Sequence, residues 1–201
     1  MKKMFFAMAV LAFFVPTTQA AKVGSAAPDF TLTDSLGKPQ KLSDYKGKFV
    51  VLEWTNHDCP FVHKHYDSGN MQKLQKTYTG KGVVWFSIVT SAPGREGYET
   101  PQEANDLVKQ YKAAPTAVLL DTKGGVGKLY GAKSTPHMFI VDPKGTLIYN
   151  GAIDDKASTK EADIPGSKNY VAAALDEAMA GKPVTTAATK PYGCSVKYAK
   201  N

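Results

Sequence analysis

Two long apolar runs stand out in the first half of the chain. Phe49 to Trp54 is apolar except for Glu53, and Val83 to Val89 is nearly unbroken. Runs of this length, without alternation, predict strands covered on both faces. Thr116 to Leu120 reads as a third such strand. Helical patterning falls between them: about Phe61 to Tyr78, ending near Gly80, and about Pro101 to Tyr111. A Gly- and Pro-containing loop, Ser91 to Thr100, precedes the second helix. Phe30 to Thr33 predicts a short strand before a turn at Leu36-Gly37-Lys38. Val126 to Tyr130 suits a short helix. Met138 to Val141 and Thr146 to Tyr149 predict a hairpin around Pro143-Lys144-Gly145. A last helix from about Lys168 to Ala180 stops at Gly181-Lys182-Pro183. The tail from Pro183 to Asn201 has no acidic residue and is expected to be irregular. Strands alternating with helices, then a hairpin and a closing helix, predict an α/β fold with a central mixed sheet and helices on both faces.

The first twenty residues follow a different pattern. Lys2 and Lys3 precede an uncharged apolar run from Met4 to Val15, and small residues follow at Thr18 and Ala20. This is the layout of a secretory signal peptide, too short to span a bilayer, which takes roughly 20 apolar residues. The expected division is residues 1–20 as signal, 21–181 as the folded domain and 182–201 as a C-terminal tail. The product is expected to be exported, periplasmic if the source is Gram-negative, and free of the membrane after cleavage. That compartment is oxidising.

Composition narrows the function. The chain has 201 residues, two Cys and four His. Two Cys exclude a small disulfide-stapled scaffold and a Cys-rich zinc site. The formal net charge is +7, yet Arg95 is the sole arginine among 25 basic residues. Arginine is the preferred reader of phosphates and guanine edges, so the charge describes a lysine-rich surface and not a nucleic-acid site.

Cys59 carries the chemistry. It follows a buried strand and, with Pro60 after it, opens a helix. A helix N-terminus offers unpaired N–H groups and partial positive charge, which favour a thiolate. Glu53 is a single acid in an apolar strand. Burial raises a carboxyl pKa, which suits a proton shuttle, and a Glu with its tip in solvent or paired with a Lys is the plainer alternative.

Asp29-Phe30-Thr31-Leu32, Leu42-Ser43-Asp44-Tyr45-Lys46-Gly47-Lys48, the Cys59 turn and Ser134-Thr135-Pro136-His137-Met138-Phe139 together resemble the thioredoxin superfamily, in its peroxiredoxin-like branch of alkyl hydroperoxide reductases, thiol-specific antioxidants and redoxins. The resemblance covers about Lys22 to Ala180. It implies a thioredoxin-like fold and a thiol-dependent oxidoreductase acting by exchange through Cys59, with an antioxidant role as a corollary. Cys59 matches the first Cys of the thioredoxin pair; Val62 stands where the second would be. Glu53 matches the buried acid, and Pro136 the cis-proline that faces the sulfur and helps bind substrate. The implied partners are protein or small-molecule thiols and disulfides and an external thiol reductant. No cofactor is implied.

Cys194 is the other thiol. Gly193 lets the backbone bend beside it, so it is a candidate resolving residue, a permanent bridge to Cys59, or a free thiol. The histidines give an alternative. His63 lies one helical turn after Cys59, and His137 follows Pro136, so Cys59, His63 and His137 are a ligand set for copper or zinc.

Overall fold

The computed structural model describes residues 21–199; the expected signal segment lies outside them. The chain runs β1 (Thr31–Thr33), β2 (Pro39–Lys41), β3 (Val50–Thr55), α1 (Pro60–Asp67), α2 (Asn70–Thr79), β4 (Val84–Val89), α3 (Pro101–Gln110), β5 (Ala117–Leu120), α4 (Gly125–Tyr130), β6 (Ser134–Thr135), β7 (His137–Val141), β8 (Leu147–Gly151), α5 (Tyr170–Met179) and β9 (Cys194–Ser195). The central sheet has the order β5-β4-β3-β7-β8. Parallel pairing joins β3 to β4 and β4 to β5, while β7 is antiparallel to β3 and to β8.

Alternation along β3 sorts the two layers. Val50, Leu52 and Trp54 face a core completed by Phe86, Phe139 and, from α4, Val126 and Tyr130. Val51 faces the opposite core, with Met71, Leu74 and Tyr78 of α2 and Val171 and Leu175 of α5. Val89 and Val118 pack there against Ala104 of α3. Helices therefore cover both faces, which explains the uninterrupted apolar strands. Glu53 alternates onto the α2 side and is fully buried.

Two expectations change. The helix read from Phe61 to Tyr78 is broken at Ser68-Gly69, where Gly69 has φ 75° and the Ser68 hydroxyl donates to the Lys64 carbonyl at 2.6 Å. The break lets the two pieces bury different surfaces: α2 packs Met71, Leu74 and Tyr78 on the sheet, whereas α1 buries Lys64 and His65. The tail is docked rather than irregular throughout. Asn150 pairs with Ala188, β9 pairs antiparallel with β6, and Ser91 pairs with Lys197. Val196 is buried in the α4-side core.

Candidate active site

Cys59 sits at the N-cap of α1 with extended backbone (φ −85°, ψ 121°), and Pro60 begins the helix. The preceding turn is fixed locally: the Asn56 side-chain oxygen accepts from the Asp58 N–H at 2.8 Å, and the Cys59 N–H donates to the Asn56 carbonyl at 3.1 Å. The Cys59 carbonyl accepts from the N–H groups of Val62 and His63, so the first turn is closed by backbone. The thiol makes no cap hydrogen bond and donates to the Thr135 carbonyl at 3.1 Å. The Thr135–Pro136 bond is cis.

Thr135 is also the register partner of Cys194 in the β6–β9 ladder. One residue thus touches Cys59 through its carbonyl and aligns Cys194 through its backbone. The Cys194 thiol lies near enough to Cys59 for that sulfur to perturb it. Both sulfurs are unbridged; Cys59 is buried and Cys194 is partly exposed. Burial, followed by the hydrogen bond to Cys59, pushes the Cys194 thiol up to about 12. Gly193 makes the close approach feasible. Its φ is 132°, and a Cβ there would meet the Thr135 carbonyl oxygen at 2.0 Å.

The tail is held over Cys59 by buried polar groups that sequence patterning missed. The Lys64 ammonium donates to Asp154 Oδ2 at 3.0 Å and to the Lys156 carbonyl at 2.7 Å. Tyr192, two residues before Cys194, donates to the other oxygen of Asp154. Its hydroxyl also lies 3.2 Å from His65 Nε2. Lys64 and Asp154 are each 1% exposed. Burial holds His65 down at about 4, so a neutral imidazole stands beside this ion pair. Lys64 and His65 occupy positions where an amphipathic pattern predicts solvent, and Asp154 lies 90 residues away, so only Gly193-Cys194 marked this region.

Glu53 accepts from Trp85 Nε1 at 2.7 Å, the Tyr66 hydroxyl at 2.9 Å, Ser87 at 3.0 Å and Gln75 at 3.3 Å. Burial raises its carboxyl above the ordinary range, against the four donors, which act the other way. Neither sulfur is among its hydrogen-bond partners. Two of its donors, Tyr66 and Ser87, line a cavity of about 50 Å³ between α1 and α3. His57 and Glu99 also line that cavity, 2.9 Å apart, and the hydrogen bond that the Glu99 carboxylate accepts raises the His57 pKa.

The metal alternative is not assembled. Nδ1 of His137 accepts from the Lys133 N–H at 3.2 Å and Nε2 pairs with Asn150 at 2.8 Å, so both ring nitrogens are committed to the fold. Burial lowers its pKa to about 4. His63 faces Asp67 at 3.2 Å and Tyr111 at 3.4 Å. Among the described residues no group of three or more His, Cys, Asp or Glu is placed to hold a metal ion. The spacing put Cys59 and His63 on one helix, but the strand placed His137 with its ring bound between Lys133 and Asn150.

Residues 23–150 match the AhpC/TSA family. Thiol-disulfide oxidoreductase ResA of Bacillus thuringiensis subsp. konkukian is 32% identical over 127 residues, 63% of this chain and 68% of that protein. Thioredoxin-like protein YneN of Bacillus subtilis is 30% identical over 143 residues, 70% of this chain and 79% of that protein. The crystal structure of a hypothetical protein from Sinorhizobium meliloti 1021 superposes with TM-score 0.75 and 26% identity, covering 91% of this chain and 98% of the other. With its mixed sheet, its cis-proline loop and its N-capping cysteine, the chain has a thioredoxin-like fold and belongs to the AhpC/TSA family.

Proposed function

We propose that this protein is an exported thiol–disulfide oxidoreductase whose redox pair is Cys59 and Cys194. The observation that carries the reading is the meeting of the two cysteines at Thr135: the Cys59 sulfur donates to its carbonyl, and Cys194 is its register partner on β9. Relatives named thiol-disulfide oxidoreductase support the reaction class. The basic and apolar start of the sequence supports export.

In the reducing direction, the Cys59 thiolate attacks a substrate disulfide and releases one substrate thiolate. Cys194 then attacks Cys59, releasing the second and closing a Cys59–Cys194 bridge. The substrate gains two electrons and the protein loses them; an external thiol reductant restores the dithiol. The α1 N-terminus favours negative charge on Cys59. Burial first, and the neighbouring Cys59 second, hold the Cys194 thiol up in the dithiol. A mixed disulfide on Cys59 removes the second of these restraints. Pro136 lines the sulfur site, and Glu53, through Tyr66, serves proton movement at the cavity and not by contact with a sulfur. The substrates are protein or small-molecule disulfides and thiols; an antioxidant role requires that peroxide also oxidise Cys59.

The test is a pair of assays, thiol–disulfide exchange and peroxide consumption, on wild type, C59S and C194S. Loss of exchange in both variants is expected. Unchanged exchange in C59S ends the reading, and peroxide consumption unchanged by C59S removes the antioxidant corollary. Peptide mapping of aerobically purified protein should show the Cys59–Cys194 bridge.

A further inference from the structure

In the docked state the sulfur at the helix start is closed to solvent, and its attack on a substrate disulfide waits on an opening of the site. Cys59 is 0% exposed, whereas Cys194 is partly open to solvent. Strand β9 of the tail lies against Thr135, whose carbonyl meets Cys59, and the tail is fastened on both sides of Cys194. Before it, Tyr192 is hydrogen-bonded to Asp154, itself paired with buried Lys64. After it, Val196 is in the core, the Ala92 N–H donates to the Lys197 carbonyl at 3.1 Å, and the Tyr198 hydroxyl donates to the Ala132 carbonyl at 2.8 Å. Lifting this segment breaks all of these contacts at once and strands a buried carboxylate–ammonium pair without its phenol.

Resting on the redox pair proposed above, we infer that an external thiol reacts with the oxidised protein at Cys194, and that Cys59 is the sulfur released. The incoming thiolate attacks Cys194 Sγ. A bond forms between those two sulfurs as the Cys59–Cys194 bond breaks, and the electron pair departs on Cys59, at the α1 N-terminus. A second thiolate from the substrate then attacks the substrate sulfur of the mixed disulfide, releasing Cys194. The substrate dithiol leaves as a disulfide, having lost two electrons and two protons. The protein ends as the dithiol, with those protons on Cys59 and Cys194.

Two physical arguments favour this order. Exchange goes through the sulfur that can be reached, and it is faster when the departing thiol is the better-stabilised anion. Access selects Cys194 for attack. The helix terminus selects Cys59 for departure. The high pKa of Cys194 in the reduced protein agrees, since it marks Cys194 as the sulfur that keeps its proton. The order inverts the roles read from sequence for this half of the cycle: the helix cysteine serves as the leaving group, and the tail cysteine meets the partner.

The experiment uses the oxidised full-length chain and glutathione as the probe. After a short exposure, acid quench and N-ethylmaleimide labelling, peptide mass spectrometry assigns each adduct. Glutathione on Cys194 and maleimide on Cys59 is expected in at least about tenfold excess over the converse. An equal or opposite distribution overturns the inference while leaving the redox pair intact. Absence of any Cys59–Cys194 bridge in the oxidised protein overturns the redox pair itself, and the inference with it. Tyr192→Phe, which loosens the tail, should move glutathione toward Cys59; an unchanged distribution refutes the tail as the shield.

Discussion

Replacing Gly193 by Ala tests the site at its tightest point. The added Cβ would lie 2.0 Å from the Thr135 carbonyl oxygen and 2.7 Å from its carbon, where real Cβ atoms stay beyond 3.0 Å. The β9 backbone must therefore retreat by about 1 Å, carrying Cys194 with it. A disulfide holds its two Cβ atoms within a window of about 3.5–4.5 Å, so this shift consumes the whole tolerance. In the dithiol no covalent bond opposes this retreat; in the disulfide the bridge does. We take the difference as about 3 kcal/mol, from off-geometry bridging plus the positive φ of a non-Gly residue. At 1.4 kcal/mol per tenfold, the bridge becomes roughly 100-fold easier to reduce, about 60 mV more positive in potential. Equilibration in glutathione buffers of known ratio, followed by thiol trapping, measures this. Gly181→Ala is the control, because Gly181 shares a positive φ (72°) but has no atom near its would-be Cβ. A Gly193→Ala potential within about 10 mV of wild type would refute the argument that Gly193 sets the spacing of the sulfurs.

Other consequences are independent of that one. The bridge closes a loop of about 135 residues, so oxidised protein should exceed the C59S/C194S double variant by roughly 5 kcal/mol on the chain-entropy model; urea titrations that coincide would show that no bridge forms. His65 and His137 are both held near 4, below the unfolded value of about 6.5. The unfolded chain thus binds protons first: stability is full above pH 6.5 and falls as pH drops toward 4, by roughly 3 kcal/mol per histidine. Thermal melts at pH 7, 5 and 4 should show this decline, and a flat profile contradicts it. Lys64→Met leaves Asp154 buried without its cation and should cost about 3–5 kcal/mol, with much of it regained in Lys64→Met/Asp154→Leu; a neutral single variant would show that the pair is not buried as a charge pair.

The sheet was legible because β3, β4 and β5 are buried on both faces, and runs such as Val50–Trp54 have no other comfortable place. The placement of Cys59 was legible because a strand, a cysteine and a proline leave one geometry for a helix start. The helix break at Gly69 was not, because the helical patterning was carried straight through α1, which buries Lys64 and His65 beside Val62. The docked tail escaped for a related reason. Its lysines and threonines read as solvated, and the groups that hold Tyr192 and Thr189 lie in Asp154, Tyr149 and Ala152, each well over 30 residues upstream. Buried polar pairing leaves no periodic signal, so a one-dimensional pattern passes over it.

The order of synthesis gives the β6–β9 pairing one more meaning. Residues 190–198 leave the ribosome after the central sheet has been made, and Cys59 lacks its neighbour Cys194 until they arrive. A nascent or clipped chain lacking them would carry an open, helix-capped sulfur beside a cis-proline, free to couple with whatever thiol-bearing polypeptide is nearby. Closing the last strand therefore ends a period of indiscriminate chemistry as well as completing the fold.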